Sequence, residues 1–252
     1  MLHTQFAAEA KSEAELIQDF VEFSLAWLQE RNYSLTIDTD MRNWAKTMGD
    51  APASTLVNPT FDPRFNALSP QNSFWLDVRA GSHTIATSAA RLFLTDDYLM
   101  LKRTARLWYD PPPPDISELS ITAPPEMPRI DGRVGHEGGL WVHPEHRKRG
   151  LSVILPHLNR ALCVRQWNVE WQTGLALRGI AKSGIAEWAY GFPHVVSCFD
   201  GYFPLSRKHE QVFITYMNRA ELIAGLNLEA VAALLPNGYN KPVYAAAAVK
   251  KG

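Results

Sequence analysis

The chain has 252 residues, 46% hydrophobic and 20% charged, which supplies a sizeable core for one large domain and excludes disorder as the default. Its 25 Lys and Arg nearly cancel its 26 Asp and Glu, so the net charge of -1 gives no global argument for nucleic acid or an anionic membrane as partner. Any anion site must be local.

Residues 1 to 16, MLHTQFAAEAKSEAEL, lack the basic region and apolar run of a secretory signal, and no stretch approaches about 18 consecutive apolar residues. Two cysteines, Cys163 and Cys198, make no disulfide framework in a chain of this length, which points to a reducing compartment. A soluble, cytoplasmic protein is expected. Residues 12 to 31 open with Ser12 and carry Glu15 three positions on, a capping-box pattern, and Leu16, Phe20, Phe23 and Trp27 then recur at helical spacing. This predicts a long amphipathic helix. Residues 38 to 49 predict a second helix stopped by Gly49, and Pro52, Pro59, Pro63 and Pro70 make 50 to 72 an extended loop.

Residues 73 to 93 alternate Phe74, Leu76 and Val78 against Trp75, Asp77 and Arg79 before a Gly-Ser turn, which predicts a β-hairpin. The stretch 94 to 135 contains DPPPPD and APPEMP, a composition that interrupts helix and sheet alike, with room for a short element at 98 to 109. It reads as an insertion. Beyond it come a buried strand at 138 to 142, a helix from Ser152 as N-cap, a strand at 169 to 176, a helix at 178 to 192 ending at Gly191, and a strand at 212 to 217. The helix places Ile154, Leu158, Ala161 and Leu162 on one face and Asn159, Arg160 and Gln166 on another. The order is that of an α/β fold.

Between strand 138 to 142 and the next helix lies HPEHRKRGLS. A helix mouth leaves its first amides without intrahelical partners and adds about half a positive charge from the dipole. Gly150 permits close backbone approach or an unusual dihedral, and Arg147, Lys148 and Arg149 supply formal charge, an arrangement suited to a pyrophosphate. The competing reading is a solvated basic turn.

The segment LWVHPEHRKRGLS resembles the signature of the GNAT superfamily of acyl-CoA-dependent N-acetyltransferases, in which V-x-P-x-x-R runs into Q/R-x-x-G-x-G/A. Ser152 replaces the usual Gly or Ala, one small residue for another. GIAKSGIAEWAYGF is similar to the next helix of that family, which commonly ends in Gly-Phe, here Gly191-Phe192. The likeness covers about residues 73 to 217 in element order and implies a mixed, mainly antiparallel sheet flanked by helices. It further implies that strands 138 to 142 and 169 to 176 are parallel neighbours. Residues 1 to 72 would supply N-terminal helices on the acceptor side, and 218 to 252 a C-terminal tail, within a single domain.

The resemblance also implies a site. Acetyl-CoA would be the co-substrate, with its pyrophosphate on the amides of Arg147, Lys148, Arg149, Gly150, Leu151 and Ser152 and its pantetheine arm along Trp141 and Val142. An amine of a small molecule or protein would attack the thioester directly; no nucleic acid or membrane partner is implied, and a homodimer is compatible. Glu137 stands where family members often carry the base, its alternative being a solvated residue at a glycine-flanked loop entry. The usual acid, a Tyr four residues before the Gly of Gly-Phe, is Glu187 here; Tyr190 is the nearest substitute, or else a core or surface tyrosine.

Other constellations are weaker. His143 and His146, with His136 nearby, form H-x-x-H in a loop without a third ligand at fixed spacing, so no metal is expected. No G-x-S-x-G elbow supports a hydrolase. Cys163 lies beside a buried stripe and reads as packing. Most tryptophans read as core, with Trp75 and Trp171 placed to line an acceptor cleft. The alternative function is a non-catalytic acyl-CoA-binding module of the same fold.

Overall fold

A computed structural model describes residues 11–54 and 57–236, so the first ten residues and the end of the tail lie outside the described residues. The capping box forms: the Ser12 hydroxyl accepts from the Glu15 amide, and the Glu15 carboxylate accepts from the Ser12 amide. It starts α1 (Glu13–Gln29), whose buried stripe includes Ile17, Phe20, Phe23 and Trp27. A strand absent from the sequence expectation follows, β1 (Tyr33–Asp38). Asp40 caps α2 (Met41–Asp50), which runs through Gly49 instead of stopping there.

The predicted hairpin is β2 (Ser73–Ala80) and β3 (His83–Thr95). The stretch expected as an insertion is more integrated than its prolines suggest. It contains α3 (Tyr98–Arg103), and its last residues already belong to β4 (Gly132–Val142), so the strand expected at 138 to 142 begins six residues earlier. Between them, Leu107, Trp108, Leu119, Ile121 and Ile130 join Phe199, Phe203 and Ile214 in one buried cluster. The Thr122 amide donates to the Cys198 carbonyl at 2.9 Å. Apolar residues spaced among the prolines hold the segment down, since prolines remove backbone donors and not side-chain burial.

The second half comprises α4 (Leu151–Trp167), β5 (Trp171–Leu177), α5 (Arg178–Lys182), α6 (Ile185–Trp188), β6 (His194–Phe203), β7 (Lys208–Asn218), α7 (Arg219–Ala224) and α8 (Leu228–Ala233). The helix expected at 178 to 192 is therefore two short helices, broken at Gly184, whose φ of +70° no helix interior accommodates. The tail beyond Asn218 forms α7 and α8.

The seven strands among the described residues make one sheet in the order β1-β2-β3-β4-β5-β7-β6. Every adjacent pair is antiparallel except β4 with β5. The fold is thus a mixed, mainly antiparallel sheet flanked by helices. One face carries α1 and α4 over the largest core cluster; α2, α3 and the proline-rich stretch cover the other. The parallel contact differs from expectation in place: Val134, Gly135 and His136 pair with Trp171, Gln172 and Thr173, upstream of 138 to 142.

Candidate active site

The displacement of that pairing makes the site. On the β3 side, Ala89 stands opposite Gly138 and Thr87 opposite Trp141, so β4 carries one extra residue around Gly139 and Leu140. This is a β-bulge, which bends the strand that holds it. Gly139 has φ +58°, and a Cβ there would lie 2.5 Å from the Trp44 ring, so the bulge needs glycine on both counts. Past His136 the bent β4 no longer pairs with β5. A cavity of about 850 Å³ opens between them, walled by β4 from Glu137 to Val142, by β5 from Gly174 to Ala176, and by Leu151, Ser152 and Pro156 of α4.

The basic turn meets one end of this cleft. Helix α4 starts at Leu151, with Gly150 as N-cap at φ +90° and without a side-chain cap, so Ser152 is its second residue and not the expected cap. By contrast α1 and α2, the other helices of ten or more residues among the described residues, carry side-chain caps. The Arg147 amide, expected in the cradle, donates to the Pro144 carbonyl at 3.4 Å, whereas among the described residues no acceptor meets the amides of Lys148, Arg149, Gly150, Leu151 and Ser152. Five donors beside a positive dipole end and an open cleft favour an anion.

The basic side chains divide. Arg147 and Lys148 line the cleft. Arg149 instead turns toward β1, its guanidinium 3.5 Å from the Tyr33 hydroxyl. Gly150 adopts the unusual dihedral, but what approaches it closely is Trp27: a Cβ at 150 would lie 2.8 Å from that ring. Trp141 turns its indole away, donating to the Pro52 carbonyl at 3.1 Å, and leaves its backbone and that of Val142 along the cleft.

Glu137 is not at a loop entry. It lies inside β4, 8% exposed, with Oε1 accepting from Arg160 at 3.3 Å and Oε2 from Gln172 at 3.1 Å. Burial pushes its carboxyl above the usual carboxylate range, while the Arg160 charge and both hydrogen bonds oppose the rise. Arg160 was expected on the polar face of its helix. Helix α4 is buried on nearly every side, and Asn159 and Arg160 point into the protein.

Tyr190 is half-buried in the same cleft, its phenol raised by burial first and by the Glu137 charge second. Glu187, at the position where the resemblance implied an acid, is exposed on α6. Trp75 is buried in the core below α2 and Trp171 packs on the far face; neither lines the cleft. Trp188, grouped by its spacing with the core tryptophans, instead lines it while 53% exposed. His136 sits across the sheet from the turn, its Nδ1 2.7 Å from the Tyr98 hydroxyl, apart from His143 and His146. Among the described residues no cluster of three His, Cys, Asp or Glu is placed to hold a metal.

In three dimensions the chain is similar to solved acetyltransferases. NAA60 of Arabidopsis thaliana, solved in complex with acetyl-CoA, is 11% identical, with 75% of this chain and 99% of that one covered at a TM-score of 0.46. The spermidine/spermine N-acetyltransferase SpeG of Vibrio cholerae is 10% identical, with 77% and 98% covered and a TM-score of 0.44. An N-acetyltransferase of Staphylococcus aureus Mu50 is 8% identical, with 74% and 97% covered and a TM-score of 0.43. No family model and no curated protein matches the chain. Among the described residues, no helix is long and apolar enough to cross a membrane.

Proposed function

We propose that the chain is an acyl-CoA-dependent N-acyltransferase that moves the acetyl group of acetyl-CoA to a primary amine of a small molecule or protein. The observation that carries this reading is the junction of two features: five amides at the mouth of α4 with no partner among the described residues, and a cleft that begins where β4 leaves β5. The first suits a pyrophosphate. The second offers the edge of β4 that β5 no longer pairs beyond His136 to an extended, amide-bearing arm. Arg147 and Lys148 add charge beside the phosphates.

In the reaction the amine nitrogen attacks the thioester carbonyl, the C–S bond breaks, the nitrogen loses a proton and the thiolate gains one. Glu137 is the carboxylate in the cleft wall and takes the proton. Tyr190, a phenol that burial makes a still weaker acid, gives one to the sulfur. Glu187 in place of the family's tyrosine favours a second reading, a non-catalytic acyl-CoA-binding module.

One experiment separates them. Calorimetry with acetyl-CoA is followed by an amine-acceptor screen recording free thiol. Binding with amine-dependent thiol release is expected. Binding without release across a broad acceptor set identifies the module, and no binding removes both readings.

A further inference from the structure

The buried pair of Glu137 and Arg160 raises its own question. Arg160 is 1% exposed, and its Nε and Nη1 have no partner among the described residues. So deep an ion pair is often less stabilising than packed apolar side chains of similar volume, so its presence in the wall of a cleft calls for a role other than stability. The surroundings are built to hold it. The guanidinium lies 4.3 Å over the Phe192 ring. A Cβ at Gly191 would come within 3.2 Å of Arg160 Nη1 and 2.6 Å of His157 Nε2, so the Gly-Phe pair gives the guanidinium both its space and its platform.

From β5, Gln172 holds the other oxygen of Glu137, and the polar chain continues. Gln172 Nε2 lies 3.8 Å from Cys163 Sγ, the Cys163 thiol donates to Asn159 Oδ1 at 3.4 Å, and Asn159 Nδ2 donates to Ser88 Oγ at 3.0 Å. Both ends, Ser88 and Glu137, line the cleft.

We propose that Arg160 and Gln172 are positioning residues that clamp the two oxygens of Glu137, so that it stands in the cleft wall as an anion aimed at the acceptor nitrogen. The clamp rests on the transferase reading for its purpose, though not for its existence. The groups facing Glu137 are Arg160, Cys163 and, behind Arg160, His157 on α4, Gln172 on β5, and Tyr190 on the segment before β6. Burial holds His157 down to about 3 and pushes the Cys163 thiol and Tyr190 phenol up, so these three are uncharged near neutrality. Arg160 is therefore the one formal charge among them that opposes the rise burial imposes on Glu137.

The test compares the wild type with Arg160→Met, Arg160→Lys and Gln172→Met, reading kcat/KM against pH and the Glu137 carboxyl by carbon-13 NMR titration. Arg160→Met should move the acid limb and the carboxyl titration upward by about one pH unit or more, because the buried carboxylate loses its counter-charge. Acetyl-CoA affinity should stay within about threefold, because the clamp touches the proton and not the cofactor. Lysine at 160 should restore most of the wild-type profile, and Gln172→Met should shift it the same way by less. An unmoved limb and titration, or an equal loss of rate at every pH, overturns the clamp. If Arg160→Met does not fold, the direction of the Gln172→Met shift decides. The NMR titration needs no turnover, so a chain that binds acetyl-CoA without transfer fails the transferase reading while the clamp is still judged.

Discussion

Two buried cations, one on each face of the sheet, are held in opposite ways. On the α4 face, Arg160 is paired with Glu137, stacked on Phe192 and adjacent to an open cleft. On the far face, Lys102 is fully buried with no partner for its ammonium among the described residues, 5.1 Å from the Tyr98 ring. A charge that is paired and stands beside a cavity can act on a ligand. A charge sealed without a partner mainly costs stability, and it persists where surrounding packing outweighs that cost.

The largest effect expected from disturbing the open face comes at its rim. Gly150→Asp places a Cβ 2.8 Å from Trp27 and 3.0 Å from Leu235 in a left-handed conformation, so it should lower stability by about 3 kcal/mol or more in urea denaturation. A variant as stable as wild type would show that the rim yields, contrary to a glycine fixed by packing.

The sealed face gives a smaller effect of opposite sign. Burial pulls the Lys102 ammonium down from 10.5 to about 8. Because the folded value lies below the unfolded one, the unfolded chain binds the proton more tightly, and stability falls as pH drops from about 10.5 through 8. Below that window the penalty is complete. Lys102→Met should therefore raise stability at pH 7 by about 1–3 kcal/mol, an advantage that fades above pH 8 in denaturation measured across that range. A destabilised variant at pH 7 would mean that the ammonium has a compensating partner.

How much of this was legible in the sequence depended on whether a pattern was local. The capping box at Ser12 and Glu15, the alternation from Phe74 to Val78, and the glycine turn before α4 all act between near neighbours, and each appears where expected. Strand β1 was missed because YSLTID is six residues between two stronger helical signals and takes its stability from pairing with β2. The proline-rich stretch looked like an excursion because Leu119, Ile121 and Ile130 follow no period; their burial depends on partners such as Phe199 and Phe203, far along the chain. Of the cleft wall, Glu137 and part of the basic turn could be singled out from the sequence. The clamp could not: Arg160 read as a polar-face residue because helical periodicity cannot tell a solvated face from one turned onto a buried carboxylate.

On the proposed reading the mouth of α4 holds the anionic part of acetyl-CoA, and Ser152→Asp tests that most directly. Ser152 is half-buried at the second position of an uncapped helix, lines the cleft, and has an amide with no acceptor among the described residues. A carboxylate there suits the helix dipole, so the fold should be unchanged or slightly more stable, within about 1 kcal/mol. The same carboxylate would stand against a pyrophosphate. Isothermal calorimetry should then show acetyl-CoA affinity reduced by about tenfold or more, a loss that shrinks as salt is raised. Unchanged affinity in a folded variant would contradict the account and place the cofactor elsewhere.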